Sequence, residues 1–127
     1  AIKIAFNYPE TFSAAASFSG VLGLTGQLKV EDTFADILDC LKICFGEELI
    51  IPEKEDIYWL ADNMDNDIAK NFKLYIACGT EDFFMPVNEN FYNKVKNKFP
   101  VIFKKEIGDH NLGFLANPCS RCLKNVF

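Results

Sequence analysis

Apolar residues along this chain follow two rhythms, one close to every third or fourth position and one nearly continuous. Ala1 to Tyr8 places Ile2, Ala5 and Phe6 at helical spacing, and Pro9 stops the pattern. Phe12 to Ser19 is short and small or apolar on both faces, with Gly20 and Gly23 behind it. That is the signature of a strand buried on both sides of a parallel sheet. Glu31 to Phe45 carries Phe34, Ile37, Leu38, Leu41 and Phe45 on one stripe and ends at Gly46, as an amphipathic helix does. Pro52 to Met64 reads as a second helix with acids in its first turn and Ile57, Leu60 and Ala61 inward. Asp62 to Asp67 is a polar break. Phe72 to Cys78 is the strongest strand pattern in the chain, and Gly79-Thr80-Glu81-Asp82 turns it over. Pro86 to Phe99 is helical through Val87, Phe91, Val95 and Phe99. Val101 to Ile107 gives another strand, ending at Gly108-Asp109-His110, and Leu112 to Phe127 a last helix with a kink at Pro118.

Strands separated by helices form parallel sheets through right-handed crossovers, so the expected fold class is α/β. No internal repeat, low-complexity segment or linker divides the 127 residues, and one domain over 1–127 is expected. Half of the residues are hydrophobic and thirteen are Phe, which requires an aromatic core. The formal charge of -5 comes without a basic stripe, so nucleic acid is not an expected partner. No apolar run reaches the roughly 18 residues of a membrane span, and the first residues lack a signal peptide's layout. Neither a membrane partner nor secretion is therefore expected, and the expected location is cytoplasmic.

Five cysteines include Cys40 and Cys44 on a helix and a Cys119-x-x-Cys122 pair. Neither pair sits in the tight turn of a zinc knuckle, so reduced thiols are expected, with a Cys119–Cys122 disulfide as the alternative. The Asp-Asn-Met-Asp-Asn-Asp run from Asp62 lacks the ligand spacing and central Gly of a calcium loop and reads as a solvated turn and helix cap. Neither metal nor organic cofactor is expected.

In open parallel sheets the working residues gather beyond the carboxyl ends of the strands. The three strand ends here present Ser19-Gly20, Asp82 and His110. His110 is the one histidine, and an imidazole on a loop suits proton transfer near neutral pH. Asp82 comes from a separate strand end. Its rivals are Glu81 and Asp109, and Asp109 adjoins His110 in sequence, where neighbouring side chains rarely orient one another. The order acid, helix, strand, histidine is that of a hydrolase.

The stretch Ala1 to Gly20, with Lys3, Pro9, Phe12 and the small-residue strand ending in Ser19-Gly20, resembles the segment just after the nucleophile elbow of an α/β-hydrolase esterase family. That family includes tributyrin, acetyl and feruloyl esterases and S-formylglutathione hydrolase. Leu74-Tyr75-Ile76-Ala77-Cys78-Gly79-Thr80-Glu81-Asp82-Phe83 resembles its acid segment, and Gly108-Asp109-His110 with Phe114 its histidine segment. Phe45 to Ala61 resembles the connecting helices of the tributyrin esterase-like branch. The resemblance runs in order along nearly the whole chain. It implies the C-terminal half of the fold, Asp82 as triad acid, His110 as triad base, and hydrolysis of short-chain acyl esters or acetylated sugars.

It also implies a departure. The Gly-x-Ser-x-Gly-Gly elbow lies upstream of Ala1 in the family pattern, so the serine and the oxyanion hole are expected outside this chain. Ser19 is a poor substitute, because no helix start follows it. Without the strand that leads into the elbow, Phe12–Ser19 is an apolar edge. It invites either a second copy or the absent N-terminal half. Phe83, Phe84 and Phe114 suit an acyl or aryl pocket but are read first as core. Two further readings compete with an esterase awaiting its other half. One is a non-catalytic binding module or inactive fragment, and the other a redox or metal protein using Cys119 and Cys122.

Overall fold

A computed structural model of the chain describes residues 1–23 and 35–110, with 35–37 described by their backbone alone. Three strands, β1 (Ala14–Phe18), β2 (Lys73–Gly79) and β3 (Val101–Glu106), form one parallel sheet in the order β1-β2-β3. The register pairs Phe18 with Ala77 and Gly79 with Glu106, so the three carboxyl ends come level on one rim. The helices are α1 (Ile2–Asn7), α2 (Ala35–Phe45), α3 (Ile57–Asn63), α4 (Asn66–Asn71) and α5 (Met85–Val95). The α/β class read from the pattern is the class observed.

The central strand explains the layering. Every residue of β2 after Lys73 is buried, as the continuous apolar run required. Successive side chains alternate between faces. Leu74 and Ile76 enter the main core with Ile2, Phe6, Tyr58, Phe91, Val95 and Phe99, contributed by α1, α3, α5 and the turn after α5. Tyr75 and Ala77 face the other way and pack with Ala14, Ala16 and Phe18. The phenyl rings fill the first face in edge-on and stacked contacts. Phe6 lies 5.4 Å from Phe72 and 5.3 Å from Phe99, and Tyr58 lies 5.6 Å from Phe91.

Two elements differ from the expectation. The single helix expected over Pro52 to Met64 is a 3-10 turn at Glu53–Glu55 followed by α3. The break falls at Asp56, whose carboxylate accepts the Tyr58 N–H at 2.8 Å and restarts the chain as a helix cap. The polar run from Asp62 does supply a cap, since Asp65 accepts from the N–H groups of Asp67 and Ile68. The sequence pattern does not show the helix α4 that this cap opens. Its six residues bury only Ala69, too little for a periodic signal. On α2, Leu38, Leu41 and Phe45 are half-buried as the stripe implied, and Gly46 leaves the helix at φ 85°. The helix expected from Leu112, with Cys119 and Cys122, lies outside the described residues.

Among the described residues β1 pairs with β2 alone. An apolar groove of about 340 Å³ runs along its other side, lined by Ala1, Ile4, Ala5, Phe12 and Ala14 to Ala16. A second groove, of about 350 Å³, lies at the amino ends of the strands between Pro9, Phe12, Ile68 and Phe72. No helix among the described residues is long and apolar enough to cross a membrane.

Phe91 is fully buried where α5 meets α1, α3 and β2. Truncation to Ala leaves a ring-sized cavity, and Phe91→Ala is expected to destabilise the chain by about 3–5 kcal/mol, read as a shift of the urea midpoint. A loss below about 1 kcal/mol would contradict the packing described.

Candidate active site

The carboxyl rim of the sheet carries the three strand ends singled out by the sequence, and it joins two of them directly. The Nδ1 of His110 lies 3.0 Å from Oδ2 of Asp82. Asp82 reaches this position through a tight turn, with its N–H donating to the Gly79 carbonyl. Its Oδ1 accepts the Phe84 N–H at 2.8 Å, so each carboxylate oxygen has its own donor. The Asp82 carbonyl then accepts the Met85 N–H as α5 begins. An acceptor-only carboxylate requires the proton of neutral His110 to sit on Nδ1, which leaves the Nε2 lone pair for a reacting hydroxyl. The Asp82 side chain is fully buried, and that of His110 is 39% exposed.

What aligns the two segments is a backbone contact. After β3 the chain folds over the end of β2. The Thr80 N–H donates to the Glu106 carbonyl and the Glu81 N–H to the Gly108 carbonyl. A Cβ added to Gly79 would stand 2.1 Å from the Gly108 carbonyl oxygen. Only glycine allows the loop that carries His110 to lie this close.

Burial works to raise the Asp82 pKa. The Phe84 N–H, the Ser19 hydroxyl and the His110 imidazole outweigh it, and the carboxyl ends below its ordinary value. The Asp82 carboxylate is therefore ionised at neutral pH. Behind it, burial pushes the Cys78 thiol up to about 11, with the Asp82 charge adding to the effect. Cys78 is thus an inert packing thiol, whereas Cys40 and Cys44 are exposed and free.

Ser19 also reaches the rim, but in the wrong place for a nucleophile. It is 3% exposed, so no ester carbonyl can approach its hydroxyl. Its influence falls on the Asp82 carboxylate and the Cys78 thiol. The Oγ has no well-formed hydrogen bond among the described residues, so the pull on Asp82 is that of a nearby dipole. The backbone of Ser19 is bent to φ 47°, and its N–H is held by the Ala77 carbonyl at 2.7 Å.

Asn88 is a residue the pattern did not reveal. It is fully buried on α5, where its Nδ2 donates to the carbonyls of Gly20 and Phe84, both at 2.8 Å. It ties the end of β1 to the turn that follows Asp82. The available signal was a polar residue on the apolar stripe formed by Phe84, Phe91 and Val95. The rival acids stand apart from this role: Glu81 and Asp109 are both exposed. Phe84 is core at 9% exposure, as read, but Phe83 is 54% exposed and corrects the core reading. Its ring lies 5.3 Å from the His110 ring, and that of Phe84 lies 5.4 Å away, edge-on. Phe114 is outside the described residues. Among the described residues no three His, Cys, Asp or Glu side chains cluster as metal ligands.

Two substitutions test this site. Gly79→Ala is expected to cost about 1–3 kcal/mol, because backbone must move to relieve the clash, and the destabilisation should appear in thermal melts. A neutral Gly79→Ala would contradict the close approach. For Asp82 the lowered pKa sets the sign. Its contribution to stability is complete above the unfolded value of about 3.9 and is lost as pH falls through the lower folded value. Asp82→Asn should lose this part of the acid limb in unfolding followed against pH, while wild type keeps it. Identical limbs would mean the carboxylate is not held as described.

Comparison with known proteins bears on the fold. No family model matches the chain. An acetyl esterase from Caldicellulosiruptor saccharolyticus is 29% identical over 72 residues, which is 55% of this chain and 27% of that protein. The S-formylglutathione hydrolase of Staphylococcus aureus superposes with a TM-score of 0.73 at 22% identity, over 97% of this chain and 48% of that structure. A ferulic acid esterase gives 0.68 at 20% identity, over 97% of this chain and 45% of its own. The chain thus spans about half of those structures, and about a quarter of the curated relative. Its fold matches part of the α/β-hydrolase-like fold of these structures, and its likeness is to esterases and S-formylglutathione hydrolase.

Proposed function

We propose that this chain supplies the acid and the base of a serine carboxylesterase, with Asp82 and His110 completing a triad whose serine comes from polypeptide outside these residues. The observation that carries this reading is the 3.0 Å contact between His110 Nδ1 and the buried Asp82 carboxylate at the carboxyl rim of a parallel sheet. The esterases and hydrolase that share the fold support it.

In the reaction, the serine hydroxyl gives its proton to Nε2 of His110 and attacks the ester carbonyl. Asp82 holds the imidazole in the productive tautomer and stabilises the cation that forms. The proton then passes from Nε2 to the leaving alcohol, and water hydrolyses the acyl-enzyme by the same relay. The oxyanion donors arrive with the serine. The side of β1 that is unpaired among the described residues and the groove beside Ala14 to Ala16 receive the strand that leads to that serine, since an apolar strand edge recruits a further strand. Short-chain acyl esters of the tributyrin or acetyl type are the substrate class. The protein works in the cytoplasm and calls on no cofactor.

The test compares this chain with a polypeptide that carries a Gly-x-Ser-x-Gly segment upstream of Ala1. The longer form should hydrolyse p-nitrophenyl acetate, and His110→Ala in it should lower kcat by roughly 10³-fold or more. The 127-residue chain alone should not be labelled by a fluorophosphonate probe. Labelling of the short chain that disappears with Ser19→Ala would overturn the assignment. A longer form whose kcat ignores His110→Ala would point to a binding module instead.

A further inference from the structure

The aromatic pair after Asp82 is divided between two environments. Phe84 is buried beneath the imidazole, and its N–H holds the Asp82 carboxylate. Phe83 lies against the same imidazole and the ring of Phe84, with centroids 5.3 and 4.3 Å away, yet keeps 54% of its surface in solvent. An aromatic ring left half in water forgoes a substantial part of its burial energy, roughly 25 cal/mol for each Å² left exposed. Its contact with His110 places that exposed surface beside the dyad.

The side of the site it occupies follows from the dyad. Nδ1 is committed to Asp82, so Nε2 must both receive the serine proton and hand it to the leaving alcohol. During that transfer the leaving oxygen is within hydrogen-bond reach of Nε2, and the group it carries lies beside the imidazole. A ring whose centroid is 5.3 Å from the imidazole centroid lies against the base from which that group departs. Glu81 is exposed and adjoins Asp82 in sequence, and its charge disfavours an anionic group at this place and leaves a neutral one.

We propose that Phe83 is a specificity-determining residue on the leaving-group side of the site, where its exposed ring stacks on an aromatic alcohol portion of a neutral ester. The inference rests on the esterase reading and deepens it. Aromatic pairs are worth about 0.5–1.5 kcal/mol beyond their area, which corresponds to roughly two- to twelvefold in selectivity.

The first arm of the test needs no serine. His110 is the chain's one histidine, so its ring protons give a single assignable set of NMR signals. At fixed pH, millimolar benzyl alcohol should shift these signals more than cyclohexylmethanol, a partner matched in size without the ring. Phe83→Leu should remove that difference and Phe83→Tyr should keep it. Equal shifts by the two alcohols in wild type, or a difference that survives Phe83→Leu, would overturn the inference. The second arm compares benzyl acetate with cyclohexylmethyl acetate in the longer, serine-containing form. The kcat/KM ratio should fall by roughly two- to twelvefold in Phe83→Leu. An unchanged ratio in an active enzyme defeats the specificity role alone. Absence of hydrolysis of both esters defeats the esterase reading and leaves the binding arm to decide the fate of Phe83.

Discussion

The close passage of two backbones at the end of β2 is the constraint on which the site depends. Gly79 gives the loop after β3 room to lie flat on the turn after β2, and two N–H groups from that turn fasten it there. Neither Asp82 nor His110 would find the other by side-chain reach alone, because they come from different crossovers. The parallel register makes the strand ends level, and the backbone contact converts that rough alignment into a hydrogen bond. The remaining features of the rim are braces for this arrangement. Phe84 N–H holds one carboxylate oxygen, and Asn88 links the same turn to the end of β1.

The order of the main elements was legible in the sequence because its signals were strong and local. The run from Phe72 to Cys78 is apolar without a break, and only a strand buried on both faces wants that composition. Val87, Phe91 and Val95 repeat at helical spacing and are all buried. Asp82 and His110 were legible for a different reason. Topology brings the loops after adjacent strands together, and each of these residues lies on one of them, beside the exposed Glu81 and Asp109. The failures are equally physical. The helix α4 has too few residues for periodicity to appear, and the interruption at Asp56 is one capping bond within an otherwise helical composition. Phe83 and Phe84 are identical letters whose fates are decided by the rotation of a turn, which no composition records. Asn88 was hidden because its partners, the carbonyls of Gly20 and Phe84, are backbone atoms that carry no sequence signature.

The electrostatics of the rim suit a deep Asp82 and a shallow His110. A buried carboxylate stays ionised only if donors repay its lost hydration. Here two donors act on separate oxygens, with a hydroxyl dipole close by. The imidazole is in the opposite situation, with Nδ1 held by Asp82 and the side chain 39% exposed. Cys78 shares the buried environment without donors of that strength, and its thiol is held protonated. The same burial thus keeps one side chain charged and its neighbour neutral.

Among the described residues β3 is an outer strand, paired to β2 along one side, and half of its side chains face solvent. His110 hangs from its end, whereas Asp82 hangs from the buried central strand. Edge strands fray before central ones, since fewer contacts restrain them. Heating will therefore separate the imidazole from the carboxylate while the phenyl-rich interior is still intact.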